Sequence, residues 1–280
     1  MPELAEVEYF RQQWDPGIGG KVQAIEANPK ARIYRESAAT VVINALTGAT
    51  LKASYAQAKQ MLFEFSGGRW LGLHLGMTGK LLCDAKQVER AKWDHFVLRQ
   101  AKRTLIFRDP RQFGLLKLHI GKEPPQWWTD FPPPVLSDAF TQEVMDAFLA
   151  RRAKSPIKAV LLMQERFPGI GNWMADEILW RAQVFPETKC GQLTAAQRIT
   201  LYRNVREVAA DAMRCIAGAG GELPPDMNVN IPESWLFWHR WRDGGHCPKD
   251  GEALQRKAVG GRTSCFCPLC QPSGSVPLHP

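Results

Sequence analysis

Nowhere in the 280 residues is there an apolar run long enough to cross a bilayer. The opening Met-Pro-Glu-Leu-Ala-Glu-Val-Glu also lacks the basic-then-apolar order of a secretory signal. A membrane or exported protein is therefore not expected; the expected location is cytoplasmic, at the nucleoid in a bacterium. Internal repeats and low-complexity tracts are absent, which excludes solenoids and disordered arrays. Cysteines are few: Cys83, Cys190 and Cys215 stand alone, while Cys247, Cys265, Cys267 and Cys270 crowd near the C-terminus. That distribution excludes a disulfide framework and points to a metal in a reducing compartment. Acidic residues are outnumbered 28 to 36 by basic ones, leaving a formal charge of +8. Such a balance favours a polyanionic partner, because lysines and arginines that neutralise phosphates release condensed counterions. Many soluble proteins carry similar charge without binding nucleic acid, so the motifs must decide.

Leu4, Val7, Phe10 and Trp14 recur at helical spacing, with Pro2 at the start and Asp15-Pro16 at the end, predicting a short amphipathic helix. From about Lys21 to His119 strand-like runs such as Gln60 to Phe65 and Trp70 to Leu75, joined by Ser66-Gly-Gly68, predict an antiparallel sandwich or barrel. Prolines and paired tryptophans between Lys122 and Pro134 read as a linker, after which helices take over. Ser155-Pro156 predicts a capped helix through about Arg166, and Asn172 a second cap, with a helix through about Ala182. Thr194 and Gln197 form a capping-box pair for a long helix stopping at Gly218 to Gly221. Residues 222–234 read as a loop. The expected organisation is thus a first domain over 1–121, a linker over 122–136, a helical domain over 137–221, a cysteine-bearing module over 235–271, and a tail over 272–280.

Cys267-Pro-Leu-Cys270 has the two-residue gap of a knuckle that grips zinc, and Cys247-Pro-Lys-Asp250 repeats the gap upstream. A zinc ribbon with Zn2+ held by Cys247, Asp250, Cys267 and Cys270 is expected, the fourth ligand being open among Asp250, His246 and Cys265. Pro168-Gly-Ile-Gly-Asn172 precedes a helix whose first amides point outward, a seat for a phosphate or simply a tight interhelical turn. Trp235, Trp238 and Trp241 recur every third residue and are expected to pack the cysteine module against its neighbour.

Met-Pro-Glu-Leu at the start, Ala58-Lys59, His74-Leu-Gly-Met-Thr-Gly79, Asp109-Pro-Arg-Gln-Phe-Gly114 and Gly169-Ile-Gly-Asn-Trp-Met-Ala-Asp-Glu177, taken in order, resemble the formamidopyrimidine-DNA glycosylase/endonuclease VIII family. The resemblance runs from Pro2 to Cys270. It implies an α+β protein: an N-terminal antiparallel β-sandwich with a catalytic helix, a helix-two-turns-helix domain and a C-terminal zinc-ribbon hairpin. The implied partner is duplex DNA with damaged bases or abasic sites, held in a cleft by a monomer.

By the same resemblance, removal of Met1 exposes Pro2 as a secondary-amine nucleophile. A helix N-terminus lowers the pKa of that amine, while nearby Glu3 opposes the shift. Glu3 becomes the acid/base group and Lys59 joins the catalytic set; Glu6 lies at the lesion pocket. Lys59, His74, Asn172 and Arg262 clamp phosphates, with Lys158 assisting. Met77, Arg111 and Phe113 fill the gap left by the extruded nucleotide. Ordinary readings exist for each: dipole-stabilising acids in a first turn, solvated surface cations, and core positions for His74, Met77 and Phe113.

Ala5, Gln112 and Gln164 depart from the family's usual proline, arginine and aspartate. The Gly220 to Pro232 stretch does not resemble the loop that covers an oxidised purine, whereas Trp238 to Gly244 is similar to the endonuclease VIII branch. The expectation is a bifunctional glycosylase and abasic-site lyase for oxidised purines. The alternatives are an endonuclease VIII-like enzyme for oxidised pyrimidines and a non-catalytic damaged-DNA-binding protein.

Overall fold

A computed structural model describes residues 2–85, 87–218 and 223–273. Helix α1 (Leu4–Gln12) turns the predicted apolar stripe inward, burying Ala5, Val7, Tyr9 and Phe10. Trp14 follows, wholly enclosed, with its ring centroid 4.8 Å from Phe63 and 6.2 Å from Phe96. Its indole N–H donates to the Leu82 carbonyl at 3.1 Å, so the one polar atom of the ring is satisfied.

Phe63 and Phe96 belong to different sheets, which places Trp14 where the two sheets face each other. One sheet has the order β1-β6-β7-β5, from β1 (Val22–Ala27), β5 (Lys80–Asp84), β6 (Asp94–Gln100) and β7 (Thr104–Arg108). The other has the order β2-β3-β4-β8, from β2 (Leu51–Gln57), β3 (Gln60–Phe65), β4 (Arg69–His74) and β8 (Leu115–Ile120). Every pairing is antiparallel, as the alternating runs predict. Helix α2 (Ala39–Leu46) interrupts the strand-rich tract. Its Val41, Val42 and Ile43 favour a strand by propensity, but burial of Val42 and Leu46, four residues apart, selects the helix.

The stretch read as a linker is partly structured. Within it α3 (Gln126–Thr129) lays Trp127 on the sheet: a Cβ added to Gly72 would come 2.5 Å from that ring, and Lys117 Nζ lies 5.1 Å from its centroid. Among the described residues, those up to Phe131, with Leu223, form the first compact unit, and residues 132–218 with 224–273 form the second.

The second unit contains α4 (Gln142–Arg151), α5 (Ile157–Leu161), α6 (Asn172–Arg181) and α7 (Ala195–Ile216) around Phe140, Phe148, Phe167, Ile178 and Val205. Thr194 and Gln197 do form the capping box of α7. Two other cap expectations are corrected. Helix α5 is only five residues long, and its first amides, at Ile157 and Lys158, donate to the Thr188 and Pro186 carbonyls rather than to Ser155. Gly171, not Asn172, is the N-cap of α6. The predicted stop of α7 falls partly on residues 219–222, and most of the tail on 274–280, both outside the described residues.

Strands β9 (Gln255–Val259) and β10 (Arg262–Phe266) make a hairpin with Val259 opposite Arg262. Gly260 and Gly261 both have positive φ (59° and 75°), which matches the two-residue turn favoured by strand twist. A Cβ on Gly260 would also lie 2.6 Å from Ala159 Cβ, so the hairpin tip rests directly on α5. No helix among the described residues is long and apolar enough to cross a membrane.

Candidate nucleic-acid interface and metal centre

In the first unit Pro2 stands just ahead of α1, partly exposed, and Glu3 is the N-cap, only 3 % exposed. Glu6 Oε2 accepts the Glu3 N–H at 3.1 Å, closing the first helical turn. Glu6 therefore does perform the structural task that its position suggests, and in doing so it fixes the backbone that carries Pro2. Lys59 is not in a strand: it occupies the turn between β2 and β3, beside Ala58 at φ 57°, and is largely buried.

His74 ends β4, and its Nδ1 accepts the Gly76 N–H at 3.0 Å. Burial, then the charges of Lys59 and Arg35, push its pKa below the ordinary value, against a smaller opposing effect of Asp109. That shift favours the neutral ring, and because Nδ1 accepts, its remaining proton sits on Nε2. That proton makes it a donor suited to a phosphate oxygen.

Two loops present the expected gap-filling residues. Met77 is half-buried and Arg111 exposed, while Phe113 is 42 % exposed with the Arg111 guanidinium 4.8 Å over its ring. A core role for Phe113 is therefore excluded. Gln112, at φ 54°, accepts the Arg32 N–H on its side-chain carbonyl at 3.0 Å. Sequence reasoning missed Asp109 as an individual: its wholly buried carboxylate accepts Thr78 Oγ1 at 3.0 Å and the Gly114 N–H at 2.7 Å.

In the second unit the glycine-rich turn is braced by Gln164. Its amide donates to the Leu162 and Ile170 carbonyls at 3.0 and 2.8 Å and accepts the Gly169 N–H at 3.1 Å. Asn172 opens α6, and its Nδ2 donates to the Thr263 carbonyl at 2.9 Å, tying the helix start to β10. Arg262, the neighbour of Thr263, is exposed and makes no ion pair among the described residues.

Lys158 is corrected as a direct phosphate contact. It is fully buried, with Nζ 2.5 Å from Asp176 Oδ1 and 2.7 Å from the Asn172 carbonyl. Asp176, equally buried, also accepts Arg240 at 2.5 Å, Ser264 Oγ at 2.7 Å and the Cys265 N–H at 3.1 Å. One carboxylate thus fastens α5, α6, β10 and the segment preceding the cysteines. Asp176 and Arg240 each stand inside a quoted motif, but nothing in the sequence announces that they pair across 64 residues.

Cys247, Asp250, Cys267 and Cys270 bring one ligand atom each within 4.8 Å of one another. Cys247 Sγ and Cys270 Sγ are 3.8 Å apart. A tetrahedron with zinc–sulfur bonds of about 2.3 Å has an edge of roughly 3.8 Å, so the thiols are already spaced for such an ion. Asp250 Oδ2 lies 3.3 Å from Cys267 Sγ and 3.0 Å from Cys270 Sγ. The choice among fourth ligands therefore falls on Asp250. Cys265, whose backbone N–H donates to Asp176, and His246 both lie outside the cluster.

Trp180 Nε1 and the Cys270 N–H each approach a cluster sulfur at 3.3 Å, the outer donors expected around thiolates. Burial, then Asp250 and Cys247, push the Cys270 thiol far above its ordinary pKa, the response of crowded anionic groups that a divalent cation would relieve. Trp180 and Leu236 pack this cluster. Of the tryptophan triplet, buried Trp235 does stack on Trp173 of α6, as expected, whereas Trp238 and Trp241 are 43 % and 53 % exposed, the short turn Leu236–Trp238 ending before Trp241.

The formamidopyrimidine-DNA glycosylase N-terminal domain model matches residues 1–116, and the H2TH domain model of the same family matches residues 132–221. The formamidopyrimidine-DNA glycosylase of Paracoccus denitrificans is 36 % identical over 97 % of this chain and all of its own length. That of Thermus thermophilus is 35 % identical over 98 % of this chain and all of its own. Among solved structures, the Lactococcus lactis Fpg complex with DNA containing N7-benzyl-Fapy-dG superposes with a TM-score of 0.84 at 27 % identity. The complex of the wild-type L. lactis protein with DNA containing an oxidised pyrimidine gives 0.84 at 28 %. Both cover 97 % of this chain and all of the other. Matched in order by both domain models and aligned end to end with such relatives, this chain belongs to the formamidopyrimidine-DNA glycosylase family of DNA-repair enzymes.

Proposed function

We propose that this enzyme excises oxidised purines, 8-oxoguanine and formamidopyrimidines, from duplex DNA and then cuts the strand at the resulting abasic site. The observation that carries the reading is Pro2 set directly ahead of α1, beside the buried Glu3 and a first turn locked by Glu6. With Met1 removed, the neutral amine of Pro2 attacks C1′ of the extruded nucleotide and the C1′–base bond breaks, the base leaving with that electron pair and taking up the proton that the Pro2 nitrogen gives up. The nitrogen lone pair then opens the sugar ring to an iminium as Glu3 donates a proton to the ring oxygen. The resulting iminium acidifies C2′, so loss of that proton expels the 3′ phosphate. A second elimination expels the 5′ phosphate, and water releases the sugar fragment from Pro2.

The remaining residues bind. Lys59, the Nε2–H of His74, the Asn172 turn and Arg262 hold phosphates around the lesion, and Met77, Arg111 and Phe113 occupy the vacated stack. Lys158 acts from below, through Asp176 and the Asn172 carbonyl. Zinc on Cys247, Asp250, Cys267 and Cys270 would serve as a structural cross-link that anchors the Arg262 hairpin, with no step of the reaction passing through it. The working compartment is the cytoplasm, on chromosomal DNA.

Binding should weaken steeply with salt, and Arg262→Ala should flatten the slope of log K against log salt by about one. An unchanged slope removes Arg262 from the clamp. Lesion choice is tested with duplexes carrying 8-oxoguanine, a formamidopyrimidine or an oxidised pyrimidine, scoring excision and strand cleavage separately. Fastest excision of the two purine lesions is expected. A faster oxidised pyrimidine would favour the second reading, which Trp238 to Gly244 and the solved complex of the L. lactis relative support. Tight binding without excision of any lesion would leave a silent damage-binding protein.

A further inference from the structure

The two loops that carry the gap-filling residues are fastened to each other by one side chain. Asp109 is completely enclosed and forms no ion pair among the described residues. Its Oδ1 accepts Thr78 Oγ1, one residue beyond Met77, and its Oδ2 accepts the amide of Gly114, one residue beyond Phe113. Its own backbone is held as well: the Asp109 N–H donates to Trp93 O at 3.0 Å, and its carbonyl faces His95 Nε2 at 3.0 Å.

The loops also touch through their backbones. Gly76, at φ 65°, would place a Cβ 2.4 Å from the Phe113 carbonyl carbon, so no other residue could sit there without parting them. The same Gly76 amide donates to His74 Nδ1, and Arg35 Nη1 donates to Gly114 O at 2.5 Å. His74, Met77, Arg111 and Phe113 therefore hang from a single hydrogen-bonded frame whose only anionic member is Asp109. A buried carboxylate without a countercharge is costly unless its lone pairs are filled, and here the two loops fill them.

We propose that Asp109 is a positioning residue for entry into the helix, locking the Met77 loop to the Arg111–Phe113 loop so that they enter the duplex as one preorganised body, in register with the phosphate held by His74. This rests on the reading that Met77, Arg111 and Phe113 replace the extruded nucleotide. The proposal assigns Asp109 no contact with DNA. It separates substrates that must be opened from those that are already open.

The test compares excision of 8-oxoguanine from a duplex with borohydride trapping on a single-stranded oligonucleotide carrying one abasic site. Thr78→Val removes one hydrogen bond to the carboxylate and should lower the duplex rate roughly 10-fold. Thr78→Ser keeps the hydroxyl and should restore it. Asp109→Ala frees both loops and should cost about 100-fold on the duplex, the scale of a displacement near 1 Å. All three variants should trap on the single strand within about 3-fold of the parent, with the split appearing in kcat rather than KM.

Equal losses on both substrates, or a duplex rate in Thr78→Val indistinguishable from the parent, would overturn the proposal. A thermal melt of Thr78→Val beside Thr78→Ser guards against reading simple unfolding as mispositioning. A parent protein inactive on both substrates would instead refute the repair reading on which the proposal stands.

Discussion

Replacing Pro2 by glycine should abolish the covalent adduct formed with abasic DNA under borohydride and lower base excision by on the order of 10³-fold, roughly 4 kcal/mol of barrier. Glycine leaves an amine at the same place, so the loss would not come from removing a nitrogen. A secondary amine can only give a positively charged iminium, which withdraws electrons from C1′ at every pH. A primary amine gives an imine that must first be protonated. The pyrrolidine ring also fixes φ and the direction of the lone pair, which a glycine leaves free. Binding should change little, because the phosphate contacts proposed above sit elsewhere, on Lys59, His74, Asn172 and Arg262. A Pro2→Gly protein with undiminished trapping would transfer the nucleophile to another amine.

Removing the metal should have the next largest effect. The hairpin of β9 and β10 is joined to the remainder of its unit by the Gly260 tip on α5, the Asn172–Thr263 hydrogen bond and the Asp176 network. Its far end is closed by the three thiols and Asp250. Metal analysis should find about one zinc per chain, as a four-ligand closed site requires. Chelation should loosen the hairpin and weaken DNA binding by roughly 10- to 100-fold through the misplaced Arg262. Asp250→Ala should lower zinc content and Asp250→Cys should raise metal affinity, since a thiolate replaces the carboxylate. His246→Ala and Cys265→Ser should leave the content unchanged. A chain that retains full binding after complete metal loss would contradict the structural role assigned to the ion.

What could be read from the residues followed their range of action. The period of Leu4, Val7 and Phe10 and the alternation in β3 and β4 are local patterns, and they placed α1 and the sandwich correctly. Thr194 and Gln197 interact across three residues and were legible for the same reason. The metal quartet was legible because ligand spacing is itself a geometric statement, but the choice of Asp250 over His246 and Cys265 needed the fold. Ser155 and Asn172 had the right chemistry for caps, but Ser155 lost the role to the distant Thr188 and Pro186 carbonyls, and Asn172 lies one residue inside the Gly171 cap with its side-chain amide donating to Thr263 instead. Lys158 was misplaced because burial is a tertiary property: nothing adjacent to it announces Asp176, eighteen residues on, as its partner. Asp109 stood inside a recognised motif, yet its task, joining Thr78 to Gly114, is visible only when both loops are in place.

The most direct measurement is the site of the covalent bond itself. After borohydride reduction with an abasic duplex, peptide mass mapping should place the whole adduct on the nitrogen of Pro2, in a chain lacking Met1. An adduct on a lysine, or strand cutting by a chain whose terminal amine has been acetylated, would show that the chemistry belongs to another group.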